Sequence, residues 1–208
     1  MDLGTRLELV PMDPHFHEIT IALYGQDQQG RPCFRVHTYS PLEGARERLE
    51  AVVEAMVVLG GAQKTAAGAL CFPCGQAHPL ALRRLFLEAC KLGPDQEPSA
   101  RPLSAPDKKS GGSIIAASLG HGLYQLEADG DPARREGRVL TAAGGLVKLA
   151  QMEEVPGHPD QVRFPCGQAH DALVGLLLPR ALNVRAALRE QEQQAGRGVL
   201  AAPSQQQN

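Results

Sequence analysis

Cysteine and histidine recur at one fixed spacing in this chain. The string Phe-Pro-Cys-Gly-Gln-Ala-His runs from Phe72 to His78 and again, identically, from Phe164 to His170. Cys74 and His78 from one copy, with Cys166 and His170 from the other, supply two sulfur and two nitrogen ligands, the number and kind that a closed tetrahedral zinc site uses. Such a site requires the fold to bring the two strings together, which spacing alone does not dictate. The same residues also suit thiol chemistry: a cysteine with a histidine four residues on has the parts of a nucleophile and its base. Gln76 or Gln168 would then donate a hydrogen bond to a developing oxyanion or contact a bound ligand.

Cys71-Phe72-Pro73-Cys74 adds a Cys-x-x-Cys spacing with proline before the second cysteine, and over those four residues it resembles thioredoxin-like proteins. The second copy departs from the pattern, with Arg163 where Cys71 would be needed. A plainer reading makes each string a strand-to-helix corner: phenylalanine packs, proline and glycine shape the turn, cysteine is buried, and glutamine and histidine satisfy nearby backbone groups. Against packing alone stands the identity of all seven residues between flanks that have diverged. A packing corner tolerates cysteine to serine or glutamine to glutamate, whereas a ligand, metal or partner contact does not.

The elements that must position the strings are legible in outline. Ile19, Ile21 and Leu23 alternate with smaller residues, a polar turn spans Gly25 to Gly30, and Cys33 to Tyr39 follows, which together predict a β-hairpin. Ser40, Pro41 and Glu43 suggest a capped helix start. Leu42, Ala45, Leu49, Val52, Val53, Met56 and Leu59 then share one helical face, with Gly60-Gly61 as the stop. Ala69 to Phe72 reads as a short buried strand, and a second helix is expected from Gln76 to Gly93.

In the second half Leu123 to Ala128 and Arg138 to Ala142 are expected as strands, followed by a shorter helix near Leu146 to Met152. A strand from Gln161 to Phe164 and a C-terminal helix complete it. Arg35-Val36-His37-Thr38 finds a partial match in Arg138-Val139-Leu140-Thr141, which would shorten the first helix of the second copy. The reading is an α+β fold made of two similar units from an internal duplication, each strand-strand-helix-strand-helix, related by a pseudo-two-fold axis. The first unit spans 1–93, a proline-rich linker 94–112, the second unit 113–190, and a polar, disordered tail 191–208. Cys74 and Cys166 would fall near helix N-caps, where the helix dipole favours a thiolate, each with its histidine one turn later. The apolar strand before each string and the apolar helix after it should bury the junction and oppose that thiolate, so slow alkylation is expected.

Composition narrows the function classes. A net charge of −2 from 21 basic and 23 acidic residues offers no general positive field for nucleic acid. No apolar run is long enough to span a membrane, and no signal peptide is apparent, so a cytoplasmic location is expected. The five cysteines are an odd set and read as reduced thiols. Phosphate-binding, nucleophile-elbow and zinc-protease motifs are absent, and neither string contains an acid. His15-Phe16-His17 is read as a polar strand edge and Arg134-Arg135 as part of a solvated hairpin loop. The expectation is a binding or assembly component with a protein partner, and with zinc as the candidate ligand of the Cys/His pairs. A cysteine-dependent enzyme or thiol switch is the alternative.

Overall fold

The structure, a computed structural model, describes residues 6–12, 17–93 and 96–184. Strands β1 (Arg6–Met12), β2 (His17–Gln26) and β3 (Pro32–Thr38) precede helix α1 (Ala45–Gly60); the short strands β4 (Gln63–Lys64) and β5 (Leu70–Cys71) then lead to α2 (Pro79–Lys91). The order recurs with β6 (Ser104–Asp107), β7 (Gly112–Gly120), β8 (Leu123–Ala128), α3 (Pro132–Ala150), β9 (Glu153–Val155), β10 (His158–Arg163) and α4 (Asp171–Ala181). The fold is mixed α+β, with four helices among the described residues and two antiparallel sheets, ordered β1-β2-β3-β5-β4 and β6-β7-β8-β10-β9. None of these helices is long and apolar enough to cross a membrane.

Period-two alternation sets which face of each sheet is buried. Ile19, Ile21, Phe34, Val36 and Leu70 line the inner face of the first sheet, and Ile114, Ala116, Tyr124, Leu126 and Val162 that of the second. Residues from both halves belong to one continuous apolar core. The helices complete it: α1 packs on β3, α3 on β8 and β10, and α1 meets α4 while α2 meets α3 and α4. Contact between α3 and α4 is close because position 145 is glycine; a Cβ there would lie 2.4 Å from the Ala181 carbonyl oxygen. Buried Glu88 on α2 joins the halves through Arg180 on α4, and also pairs with Arg101 at 3.6 Å and Lys91 at 3.1 Å.

Several expectations are corrected. Three strands, not two, precede the first helix of each half, and two short strands separate its helices. Arg138 to Ala142 lies inside α3, because Asp131 caps that helix by accepting the Ala133 amide at 3.0 Å and Pro132 takes its first position. Val139, Ala142, Leu146 and Leu149 then fall at helical spacing on the core. At 19 residues α3 is longer than the 16-residue α1, so the second copy is not shortened there. Arg35-Val36-His37-Thr38 belongs to β3, so its match with the α3 residues is a coincidence of short words. Arg134 and Arg135 stand in the first turns of α3, with Arg134 paired to Asp131 at 3.3 Å.

Ser40 caps no helix; its hydroxyl accepts the Leu42 amide in a preceding turn, and α1 starts after Gly44 at φ 84°. Its stop at Gly61, φ 64°, is where the glycine pair placed it. The 94–112 segment contributes β6. His17 opens β2, whereas His15 and the 191–208 tail lie outside the described residues.

A buried ion pair fastens β6 to α3. Arg138 donates from Nε to Asp107 at 2.7 Å and from Nη2 at 3.0 Å, and Nη2 reaches the Leu182 carbonyl at 3.1 Å. The Arg138 guanidinium, aided by the Ser110 hydroxyl and the Lys109 amide, holds the Asp107 carboxyl at about 2 against the opposing effect of burial. A carboxylate with a depressed folded-state pKa stabilises the fold above its unfolded value and stops doing so as pH falls through the folded one. Denaturant titrations should therefore lose about 2 kcal/mol between about pH 4 and pH 2 from this group. In Asp107→Asn that step should be absent, on a baseline already lowered by the unpaired Arg138.

Candidate metal centre

Each string builds the same turn. Phe72 ends the strand region with its ring buried, Pro73 supplies the bend, and the Gly75 amide donates to the Phe72 carbonyl at 3.1 Å. Phe164, Pro165 and Gly167 repeat it at 3.0 Å. Gly75 and Gly167 sit at φ 76° and 70°, a conformation glycine adopts without strain, which accounts for the glycine of the string. His78 and His170 then occupy the position just before α2 and α4. Their carbonyls accept the Leu82 amide at 2.8 Å and the Val174 amide at 3.0 Å.

This placement corrects the expected one. The cysteines lie in the turn, not at helix starts, and the histidines are the cap residues, not one turn into a helix. Pro79 was the overlooked signal, since proline favours the first helical position and so marks His78 as the residue before it.

The two turns meet across the halves. Cys74 Sγ lies 3.1 Å from His78 Nε2 and Cys166 Sγ 3.3 Å from His170 Nε2. One ligand atom from each of the four residues falls within 4.8 Å of every other, and the group can hold a metal ion. Metal bonds of about 2.3 Å to sulfur and 2.0–2.1 Å to nitrogen put tetrahedral ligand atoms about 3.3–3.8 Å apart, close to this spacing. The imidazoles are buried and stand edge to face at 4.7 Å between centroids, while the thiols are half-buried toward the surface. Phe72 and Phe164 wall the site, with each ring edge-on to both imidazoles at 4.7–5.8 Å. Gln76 and Gln168 approach the sulfurs only through backbone: the Gln76 amide donates to Cys74 at 3.4 Å, and the Gln168 carbonyl lies 3.7 Å from Cys166 Sγ. Both glutamines are exposed.

Burial dominates the electrostatics. It pushes the Cys74 thiol up to about 11, with the neighbouring Cys166 adding to the rise and the Gln76 amide opposing it. Burial likewise lowers His78, and takes His170 down to about 4 with a further contribution from His78. Desolvation thus prevails at Cys74, in the direction expected from the apolar elements on either side of the string. Cys74 and His78 rest as neutral thiol and neutral imidazole at pH 7, which is unsuited to a nucleophile and base pair. Neutral imidazole is already the ligand form, so a metal cation needs to displace only thiol protons.

A supporting pair around His170 was not anticipated. The Tyr124 hydroxyl accepts the His170 amide at 2.8 Å and donates to Asp171 Oδ1 at 2.7 Å. Burial and Asp171 hold the phenol well above its ordinary range, so it remains a donor. A tyrosine facing the core on a strand was the available signal, because a buried hydroxyl needs partners. Comparison of the chain with protein-family models, curated proteins and solved structures finds no match, so the site is read on its own geometry.

Tyr124→Phe should unfasten the His170 turn while keeping the ring in the core. We expect affinity for a divalent transition metal to fall by about 10–100-fold in competition with a chromophoric chelator. The accompanying loss of stability should be about 1–3 kcal/mol.

Proposed function

We propose that this chain is a binding or assembly component of a larger complex, whose two halves are clamped together by one zinc ion held by Cys74, His78, Cys166 and His170. The observation that carries the reading is the convergence of four ligand atoms within 4.8 Å from two distant copies of one string. Two thiolates and two imidazoles in a tetrahedron suit zinc, which needs no redox chemistry to serve as a clamp. Free thiols and zinc–thiolate bonds both fit a reducing compartment, and the cytoplasm is the proposed location.

The clamp belongs to a proposed internal duplication with a pseudo-two-fold axis through the metal. Supporting it, Phe34 faces Leu70 as Tyr124 faces Val162, and both partners precede the strings at the same distance. Arg48 on α1 donates to the Cys90 carbonyl beyond the middle of α2 at 2.8 Å, and Arg138 on α3 donates to the Leu182 carbonyl just past α4 at 3.1 Å. Register shifts in both central hairpins fall at glycines, Gly25 and Gly120.

Around the thiols, Pro73, Gln76, Pro165 and Gln168 are exposed. Core packing does not explain identical glutamines in solvent, whereas a protein partner gripping both copies does. A thiol enzyme is the competing reading, since Cys–His separations of 3.1 and 3.3 Å are within reach for proton transfer. The raised Cys74 pKa and lowered histidine values favour the metal.

Protein purified without chelator should carry about one zinc per chain by elemental analysis, and stripping the metal should lower its thermal midpoint. Cys74→Ser with Cys166→Ser should abolish the zinc. Metal-free protein of unchanged midpoint, with Cys74 and Cys166 alkylated far faster than Cys90, would transfer the site to thiol chemistry. Gln76→Ala with Gln168→Ala should leave zinc content intact and stability within about 0.5 kcal/mol, as for other exposed substitutions. Its effect should appear only as lost association with a partner in co-purification.

A further inference from the structure

The outer face of the first sheet carries a second pair of thiols that the metal centre does not use. Gly25, Cys33, Cys71 and Gln63 form one row across β2, β3, β5 and β4. Phe34 is paired with Leu70, so in these antiparallel strands Cys33 stands opposite Cys71. Phe34 and Leu70 face the main core, and alternation turns both cysteines to the other face, where they form a separate apolar cluster with Ala69. Directly opposed residues on antiparallel strands have Cα atoms about 4.5–5.5 Å apart, inside the range a disulfide spans.

Both thiols are buried, so a reagent has to reach them through the space over the row. Gly25 has no side chain to fill the space beside Cys33, and a cavity of about 440 Å³ opens over the row, lined by both cysteines, Tyr24, Arg31, Gln63 and Lys64. Arg31 is held by Asp27 at 2.7 Å, and its charge interacts with both thiols. Cys33 donates to the Arg31 carbonyl at 3.4 Å. In the second sheet the corresponding row reads Gly120, Leu123, Arg163 and Glu153, with an Arg163–Glu153 ion pair at 3.1 Å. The dithiol is therefore particular to the first half and not part of what the two halves share.

We propose that Cys33 and Cys71 are a redox couple that closes a cross-strand disulfide by exchange with a low-molecular-weight disulfide of the glutathione type entering this cavity. One cysteine loses its proton and attacks a sulfur of the small disulfide; a protein–small-thiol mixed disulfide forms and the first small thiolate leaves. The second cysteine, deprotonated in turn, attacks the protein sulfur of that mixed disulfide, forming the Cys33–Cys71 bond and releasing the second small thiolate. The two protons lost by the cysteines end on the two released thiols, and two electrons pass from the dithiol to the small disulfide. Burial, with the neighbouring Cys71 and Asp27, holds the Cys33 thiol above its ordinary range, and the Arg31 charge opposes that rise, while Lys64 on the cavity wall offers positive charge to the carboxylates of a glutathione-type reagent.

The test equilibrates the full chain with glutathione and glutathione disulfide at a series of ratios, quenches with acid, then unfolds, alkylates and maps the peptides by mass. We expect a Cys33–Cys71 cross-linked peptide, two hydrogens lighter than the reduced pair, that disappears again as reduced glutathione is raised. Cys33→Ser and Cys71→Ser should each retain the mixed disulfide on the remaining thiol. Cystamine, a smaller disulfide, is run in parallel so that reagent size does not decide the result. The proposal is overturned if Cys33 and Cys71 remain fully alkylatable with both reagents, or if oxidation joins Cys71 to Cys74 or Cys74 to Cys166 instead. The Cys33–Cys71 readout does not depend on whether the metal centre binds zinc, and running the series on metal-stripped chain as well leaves Cys74 and Cys166 equally open to oxidation.

Discussion

The constraint on which the rest of this structure depends is the meeting of two turns at the boundary between the halves. Each turn places a thiol and an imidazole within 3.1–3.3 Å of each other, and the shared core then brings the two pairs together. Neither half alone holds four ligands. The Phe72 and Phe164 rings stand edge-on to both imidazoles and help to bury them. The same apolar wall that disfavours charge on Cys74 and His170 makes a metal cation a strong partner there, since it replaces the lost solvation of the thiolates.

The two turns share the glycine-to-phenylalanine hydrogen bond and the close Cys–His contact, but differ in backbone and in what pins them. His78 has φ 43°, an uncommon value for a residue with a side chain, while His170 has φ −129°. The extended His170 directs its amide to the Tyr124 hydroxyl, and Asp171 receives the hydroxyl proton. On the other side Phe34 faces Leu70 where Tyr124 faces Val162, so there is no hydroxyl, and Pro79 stands where Asp171 supplies its carboxylate. In this account the second turn is pinned by hydrogen bonds and the first by packing and by its proline, so the two sides of one centre reach the same geometry by different means.

The residues of the site were legible in the sequence because identity over seven positions is a signal that divergence elsewhere sets off. That the strings sit between strand and helix was legible too, from the apolar run at Ala69 to Phe72 and the stripe through Leu82, Leu85 and Phe86. What could not be read was their meeting, which depends on α1 packing against α4 and α2 against α3. The worst misreading, a strand at Arg138 to Ala142, came from a four-residue resemblance that outweighed the Asp131-Pro132 helix start. The short strands β4 and β9 escaped notice because two or three residues carry no period. The raised Cys74 pKa was legible in direction, because the apolar strand before the string and the apolar helix after it imply a buried junction that opposes a thiolate.

The central claim is that one ion is bound by both copies of the string at once, and X-ray absorption at the zinc edge on the purified chain addresses it most directly. The account predicts a first shell of two sulfurs at about 2.3 Å and two nitrogens at about 2.0–2.1 Å. A shell with a single sulfur, a shell of oxygen and nitrogen alone, or no zinc in fully folded protein would contradict it.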